Sequence, residues 1–309
     1  MTRLAPIPEF PRRLAYLGTP EMAVAPLRAL VTAGFEIALV VTRIDKRRGR
    51  GGELSPSPVK AAALELGLPV AHRVDDIVDA RVDLGVVVAF GQLIKPHVLA
   101  AVPMVNIHFS LLPRWRGAAP VERALLAGDA ETGTCLMQLE EGLDTGPVFD
   151  RIVVPIGDRE TAADLRVRLV EAGTDQLVRV LRDGLRDPRP QIGETTYAAK
   201  IDPAELAIDW HRPAAEIDRL VRLGGAWTMF RGKRLKVLAA APAPVDDDAP
   251  VGSRGDRPAP GAIVGDLVAT PVDGLRLIRV QPEGKPPMDV AAWRNGARPV
   301  ALEVLGAPQ

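Results

Sequence analysis

The sequence predicts an α/β protein of two domains: a doubly wound, mainly parallel sheet, followed by a smaller β-barrel. Three observations carry this. At 309 residues the chain exceeds the length that one hydrophobic core usually supports. Before Asp202, short apolar runs alternate with stretches of helical periodicity, the pattern of strands buried on both faces and joined by crossover helices. After Asp202 the pattern changes to short β-like runs separated by turn residues. The expected domains are 1–202 and 203–309.

Element by element, the apolar runs place strands at 14–17, 37–41, 84–89, 105–107 and 134–139. Apolar residues at helical spacing place helices at 23–33, 59–66 and 120–127. Leu165, Leu169, Leu177, Val178 and Leu181 mark a longer helix, which the proline-containing DPRPQIG ends. In the second domain a helix is expected at 214–223 and strands at 234–239, 261–264 and 275–280. The stretch 242–260, rich in Pro, Ala, Asp and Gly, reads as a long surface loop. A parallel sheet of this kind binds ligands beyond the carboxyl ends of its strands, which locates the site before any motif is considered.

The 39 basic and 39 acidic residues cancel, so a nucleic-acid surface has to be a local patch. A single cysteine, Cys135, excludes an intramolecular disulfide framework, and with four scattered histidines no metal site is expected. Neither the apolar core of a signal peptide nor a membrane-spanning run is visible, so the expected location is the cytoplasm. A monomer is the expected state.

Gly18, Thr19 and Pro20 follow the first strand where a dinucleotide-binding domain would carry GxGxxG, and the absence of that glycine pattern argues against NAD or FAD. The most informative segment is VNIHFSLLPRWRGAAP, residues 105–120. Asn106 and His108 alternate there with apolar Val105, Ile107 and Phe109, so one strand face carries both polar side chains. An isolated histidine would read as a satisfied structural residue. Paired with an amide at the mouth of a buried sheet, it points to chemistry, because a buried polar group without a partner costs about 1–3 kcal/mol. Asp144 sits downstream in EEGLDTGPVF, where an Asx-turn would be its ordinary role. With Asn106 and His108 it completes a set suited to acyl transfer: an oxyanion donor, a proton-transfer group and an orienting carboxylate.

Together LGTPEMAVAPL at 17–27, SPSPVKAAALELGLPV at 55–70, SLLPRWRGAAPVERALLAGDAETG at 110–133 and MQLEEGLDTG at 137–146 resemble the methionyl-tRNA formyltransferase family. SLLP is shared with other enzymes that use 10-formyltetrahydrofolate; RWRGAAP and SPSPVK are more selective. The resemblance implies a Rossmann-like N-terminal domain and an OB-like C-terminal domain. It implies 10-formyltetrahydrofolate as co-substrate, methionyl-initiator tRNA as acceptor, Asn106, His108 and Asp144 as the catalytic trio, and Ser110, Leu111, Leu112 and Pro113 as lining of the formyl-folate pocket. It further assigns tRNA contact to the loop RIDKRRGR at 43–50, where Lys46, Arg47, Arg48 and Arg50 could neutralise phosphates. In RGKRLKV at 231–237, alternation puts Arg234 and Lys236 on one face, either as a second RNA-contacting strip or as an edge protected by charge.

Cys135, in an apolar strand, is expected to be inert core, and His72, His97 and His211 to be structural. Trp115 suits stacking on a pterin or adenine as well as loop packing. Two rivals share some of these features: a formyl-folate enzyme acting on an amino sugar would lack use for the basic loop, and an inactive tRNA-binding protein would have no need of the trio.

Overall fold

The computed structural model describes residues 4–48, 52–244 and 258–306. The chain divides into two compact units. Met1–Ala124, Ala130–Ile156 and Asp164–Lys200 form the first; Leu125–Asp129, Gly157–Ala163 and Ile201–Gln309 form the second.

The first unit runs β1 (Arg13–Gly18), α1 (Val24–Thr32), β2 (Glu36–Val41), a hairpin of β3 (Lys46–Arg48) and β4 (Glu53–Ser55), α2 (Pro58–Glu65), β5 (Val70–Ala71), α3 (Asp76–Asp79) and β6 (Leu84–Val88). It continues with α4 (Pro96–Ala101), β7 (Met104–His108), β8 (Arg116–Gly117), α5 (Pro120–Ala127), β9 (Glu131–Gln138), β10 (Val148–Pro155), α6 (Ala162–Asp183) and β11 (Tyr197–Ala198). The main sheet has the order β10-β9-β7-β6-β1-β2-β5. The five strands from β7 to β5 are parallel, and β9 and β10 extend the sheet antiparallel.

Alternation in β1 explains why the sheet is covered on both faces. Leu14 and Tyr16 enter one core with Leu84, Val86 and Leu136; Ala15 and Leu17 enter the other with Val87 and Met104. All four β1 side chains are fully buried, and each such leucine contributes about 1.5–3 kcal/mol. The Tyr16 hydroxyl is satisfied by the Ala23 carbonyl at 2.6 Å, and burial raises its pKa well above the ordinary value. Ser57 caps α2 by accepting the Lys60 N–H at 3.0 Å, with Pro58 pre-set in the first turn. The Ser57 hydroxyl also meets Thr42 at 2.7 Å, which pins the two ends of the segment between β2 and α2.

The second unit contains α7 (Ala214–Leu223), β12 (Trp227–Phe230), β13 (Lys233–Ala243), β14 (Ile263–Val264), β15 (Leu267–Ala269), β16 (Gly274–Pro282), β17 (Met288–Asp289) and α8 (Val290–Ala297). Its sheet is antiparallel, ordered β12-β13-β16-β15-β14, with β17 on β16. The apolar stripe of α7, Ala214, Ile217 and Val221, packs with Leu235, Val237 and Leu277 in one core.

The two-part architecture is the one expected: a mainly parallel α/β sheet and a small β domain. One boundary differs. The loop expected at 242–260 starts later, because Pro242 and Ala243 still pair with Leu275 and Gly274 in β13; residues 245–257 lie outside the described residues. Among the described residues no helix is long and apolar enough to cross a membrane.

Candidate active site

A cavity of about 620 Å³ opens in the first unit at the carboxyl ends of β6 and β7. Residues 89–94 after β6, 106–109 at the end of β7 and 139–144 after β9 line it. β1 has β2 on one side and β6 on the other, and Pro20 and Met22 behind β1 complete the wall, so the cavity sits where the strand order reverses.

The pleat of β7 explains what the cavity receives. Val105 and Ile107 go into one core and Met104 into the other, so Asn106 and His108 emerge on the Met104 side. His108 is only 4% exposed. Its Nε2 lies 3.1 Å from Asp144 Oδ2 and its Nδ1 3.1 Å from Ser110 Oγ. The Ser110 hydroxyl donates to the Arg114 carbonyl at 2.6 Å, so it accepts from His108, and Nδ1 carries its hydrogen. The Asn106 side chain forms no hydrogen bond among the described residues and borders the cavity, which leaves its amide hydrogens available there.

Asp144 is held from several directions. Its φ of 49° is left-handed, a region that aspartate tolerates better than most residues. Oδ2 accepts the Gly117 N–H at 2.8 Å as well as facing His108. Gln191 Nε2 donates to the carbonyls of Asp144 and Gly146, both at 2.8 Å. Gln191 Oε1 in turn accepts from Arg116 Nε at 3.0 Å and Nη2 at 2.6 Å, so one amide ties the turn to the β8 segment. Gly146 is required by close approach, since a Cβ there would lie 2.0 Å from the Gln138 carbonyl oxygen. Burial pushes the Asp144 carboxyl up, but the His108 hydrogen bond and charge, the Gly117 N–H and the Arg116 charge outweigh it and hold the carboxyl below its ordinary value.

The structure therefore brings Asn106, His108 and Asp144 to one cavity. It does not place Ser110, Leu111, Leu112 or Pro113 in the cavity wall. Ser110 and Leu112 are fully buried, Leu112 packing with Cys135 and Met137, so this segment backs His108 from behind. The wall comes instead from residues 89–94 and from Leu139, Glu140, Glu141 and Leu143, which sequence reasoning missed. The available signal was their position immediately after predicted strands. Trp115 lies outside the cavity wall, with Arg114 over its ring at 4.7 Å.

The expected basic loop is rooted by Arg43, which donates to the Gly91 carbonyl at the cavity rim, and by the Lys60–Asp45 ion pair at 2.7 Å. Lys46, Arg47 and Arg48 form the strand β3 of a hairpin rather than an irregular loop. The Arg47 side chain donates to the Gly52 carbonyl at 3.1 Å, and Arg50 lies outside the described residues. In the second unit, Arg234 and Lys236 share an exposed face of β13 while Leu235 and Val237 are buried. The Cys135 thiol is buried, and burial raises its pKa, as suits a core residue. His72, His97 and His211 have ordinary partners in the Thr42 carbonyl, Asp75 and Asp209. Among the described residues no three His, Cys, Asp or Glu side chains gather as metal ligands would.

A family model for formyl transferases matches residues 12–181. The chain belongs to the formyl transferase family. The model for the formyl transferase C-terminal domain matches residues 200–298 as well. Among named formyl transferases, the methionyl-tRNA formyltransferase of Symbiobacterium thermophilum is 42% identical over 313 residues, covering 92% of both chains. That of Dinoroseobacter shibae is 43% identical over 301 residues, covering 92% of this chain and 97% of its own. Of solved structures, an N-formyltransferase from Helicobacter canadensis, in complex with folinic acid and dTDP-3-aminofucose, superposes with a TM-score of 0.63 at 15% identity over 85% of this chain and 98% of that one. HypX from Aquifex aeolicus, in complex with tetrahydrofolic acid, gives 0.60 at 15% identity over 97% of this chain and 51% of that one. These two structures share the formyl transferase fold.

Proposed function

We propose that this chain transfers the formyl group of 10-formyltetrahydrofolate to the α-amino group of methionyl-initiator tRNA. The observation that carries the chemistry is the Asp144–His108 pair beside the unbonded Asn106 amide, all three at one cavity. The named relatives over nearly the whole chain carry the acceptor.

A simple α-amino group has a pKa near 8, so on the order of a tenth is neutral at pH 7 and no strong base is needed to form the nucleophile. The amine nitrogen attacks the formyl carbon, and the carbonyl π pair moves onto oxygen. Asn106 donates to that oxyanion. The proton lost by the amine and needed by folate N10 passes through the His108–Asp144 pair and a water relay, and Asp144 holds the imidazole in place. The oxyanion then collapses, the carbon–N10 bond breaks, and N10 leaves with the proton. The apolar part of the cavity wall, with Phe90, Leu93 and Leu143, suits the flat pterin of the donor.

We assign catalysis to residues 1–202 and acceptor binding to residues 203–309 together with Lys46, Arg47, Arg48 and Arg50. The protein acts as a cytoplasmic monomer. The test supplies labelled 10-formyltetrahydrofolate with methionyl-initiator tRNA, methionyl-elongator tRNA, free methionine or a nucleotide-linked amino sugar. Label in the first alone supports the proposal; label in the amino sugar instead overturns the acceptor.

A further inference from the structure

The second unit carries a cavity of about 550 Å³, within the range of ligand pockets of about 300–1,000 Å³, that formyl transfer itself leaves unused. Three strands make its floor. The register across β12, β13 and β16 sets Trp227, Lys236 and Gln281 in one row, with Met229 and Arg234 in the next. Paired residues share a sheet face. Thr228, Leu235 and Val237, from the alternate positions, are buried on the opposite side. Glu283, just past β16, closes the second row, its Oε2 accepting the Arg234 N–H at 3.0 Å.

The Arg234 guanidinium lies over the Trp227 ring, 4.2 Å from its centroid. Arg212, Arg222, Arg231 and Arg276 of the same unit each close on a carboxylate. Among the described residues, Arg234 and Lys236 form no such ion pair. A planar guanidinium held on an indole presents its other face to a second π system, and a neighbouring ammonium offers a point charge to an anion. The Gln281 side-chain nitrogen donates to the Lys285 carbonyl at 3.0 Å, so its oxygen is the atom left over, and with the Glu283 carboxylate it lines the cavity with acceptors. One class of ligand meets all of these groups: a flat ring bearing amino donors, joined to a phosphate.

We infer that this face is a subsite for one unpaired nucleotide of the RNA acceptor, its base stacked on the Arg234 guanidinium that Trp227 backs and its phosphate on Lys236. The acceptors favour adenine, cytosine or guanine over uracil, which lacks an amino group. The inference rests on the reading of methionyl-tRNA as acceptor and adds a base-stacking contact to it.

The test is retention of methionyl-tRNA by the full chain across a salt series. Trp227→Ala weakens binding by about 5- to 150-fold with the salt slope unchanged, the fold-change expected for loss of one stacked base. Trp227→Phe restores most of it. Arg234→Lys keeps the charge at an exposed position, removes no buried group, and still weakens binding. Lys236→Ala lowers the slope of log K against log salt by about 0.7–0.9, one phosphate contact. A diadenylate quenches the tryptophan fluorescence of the wild type more strongly than a diuridylate. If Trp227→Ala and Arg234→Lys both retain methionyl-tRNA as the wild type does, the subsite is overturned while the acceptor reading stands. Quenching by an oligoglutamate peptide equal to that by the diadenylate also overturns it, leaving a general anion surface. A wild-type chain that binds no methionyl-tRNA overturns both.

Discussion

The side-chain amide of Gln191 donates to the main-chain carbonyl of Asp144 at 2.8 Å, across 47 residues of sequence. It makes a second such bond to Gly146 and is itself gripped by Arg116, so the turn that aims Asp144 at His108 is fixed by a residue outside the cavity wall. Loss of this grip lets the carboxylate drift. Gln191→Leu is expected to lower single-turnover formyl transfer by about 10- to 100-fold, the cost of misplacing a catalytic group by about an ångström, with a smaller change in KM. Gln191→Glu keeps the acceptor for Arg116 but sets a carboxylate oxygen against both carbonyl oxygens, so its rate should fall at least as far. An unchanged kcat in Gln191→Leu would show that the turn holds itself.

Gly146 gives a steric version of the same experiment. A methyl group there meets the Gln138 carbonyl oxygen at 2.0 Å, and backbone on both sides must shift. Gly146→Ala should lower stability by about 1–3 kcal/mol, the usual range for overpacking, and slow transfer as well. Thermal melting together with a rate measurement checks both effects.

Ser110 joins His108 Nδ1 to the Arg114 carbonyl, and it is fully buried. Ser110→Ala leaves the Nδ1–H of buried His108 without its acceptor, at about 1–3 kcal/mol for a buried polar group that loses its partner. Chemical denaturation should report the loss, and the rate should fall because the imidazole is no longer pinned from behind. A stable, fully active Ser110→Ala would remove Ser110 from the support of His108.

The lowered pKa of Asp144 sets the sign of a pH effect. A carboxyl held below its ordinary value stabilises the native state above the unfolded value of about 3.9, and that contribution disappears as pH falls through the folded value. Asp144→Asn should therefore melt below the wild type at neutral pH, with the gap closing only in acid below about pH 3.9. A gap that widened on acidification would contradict the assignment.

The parts legible in the sequence are those with a periodic signal. β1, β6 and β7 are buried on both faces and read as apolar runs, and the interruption of β7 by Asn106 and His108 exposed the site. β10 escaped notice because Asp150 and Arg151 split its apolar residues into Val148–Phe149 and Ile152–Val154, two pieces each too short to mark an eight-residue edge strand. β12 has only four residues, and α8 was hidden by its mixed composition. Gln191 could not be found: it lies in irregular chain, and its link to Asp144 is long-range, which no local spacing encodes. The SLLP segment differs in the opposite direction. The resemblance assigns it to the formyl-folate pocket, whereas Leu112 packs in the core with Cys135 and Met137.

The central claim is that Asn106, His108 and Asp144 carry formyl transfer from the folate to methionyl-tRNA. The most direct measurement is the single-turnover rate of Asn106→Ala and Asp144→Asn with both substrates saturating. The account predicts a loss of about 100- to 1000-fold for Asn106→Ala, the usual cost of one oxyanion donor, and a comparable loss for Asp144→Asn. Near-normal rates in both variants would contradict it.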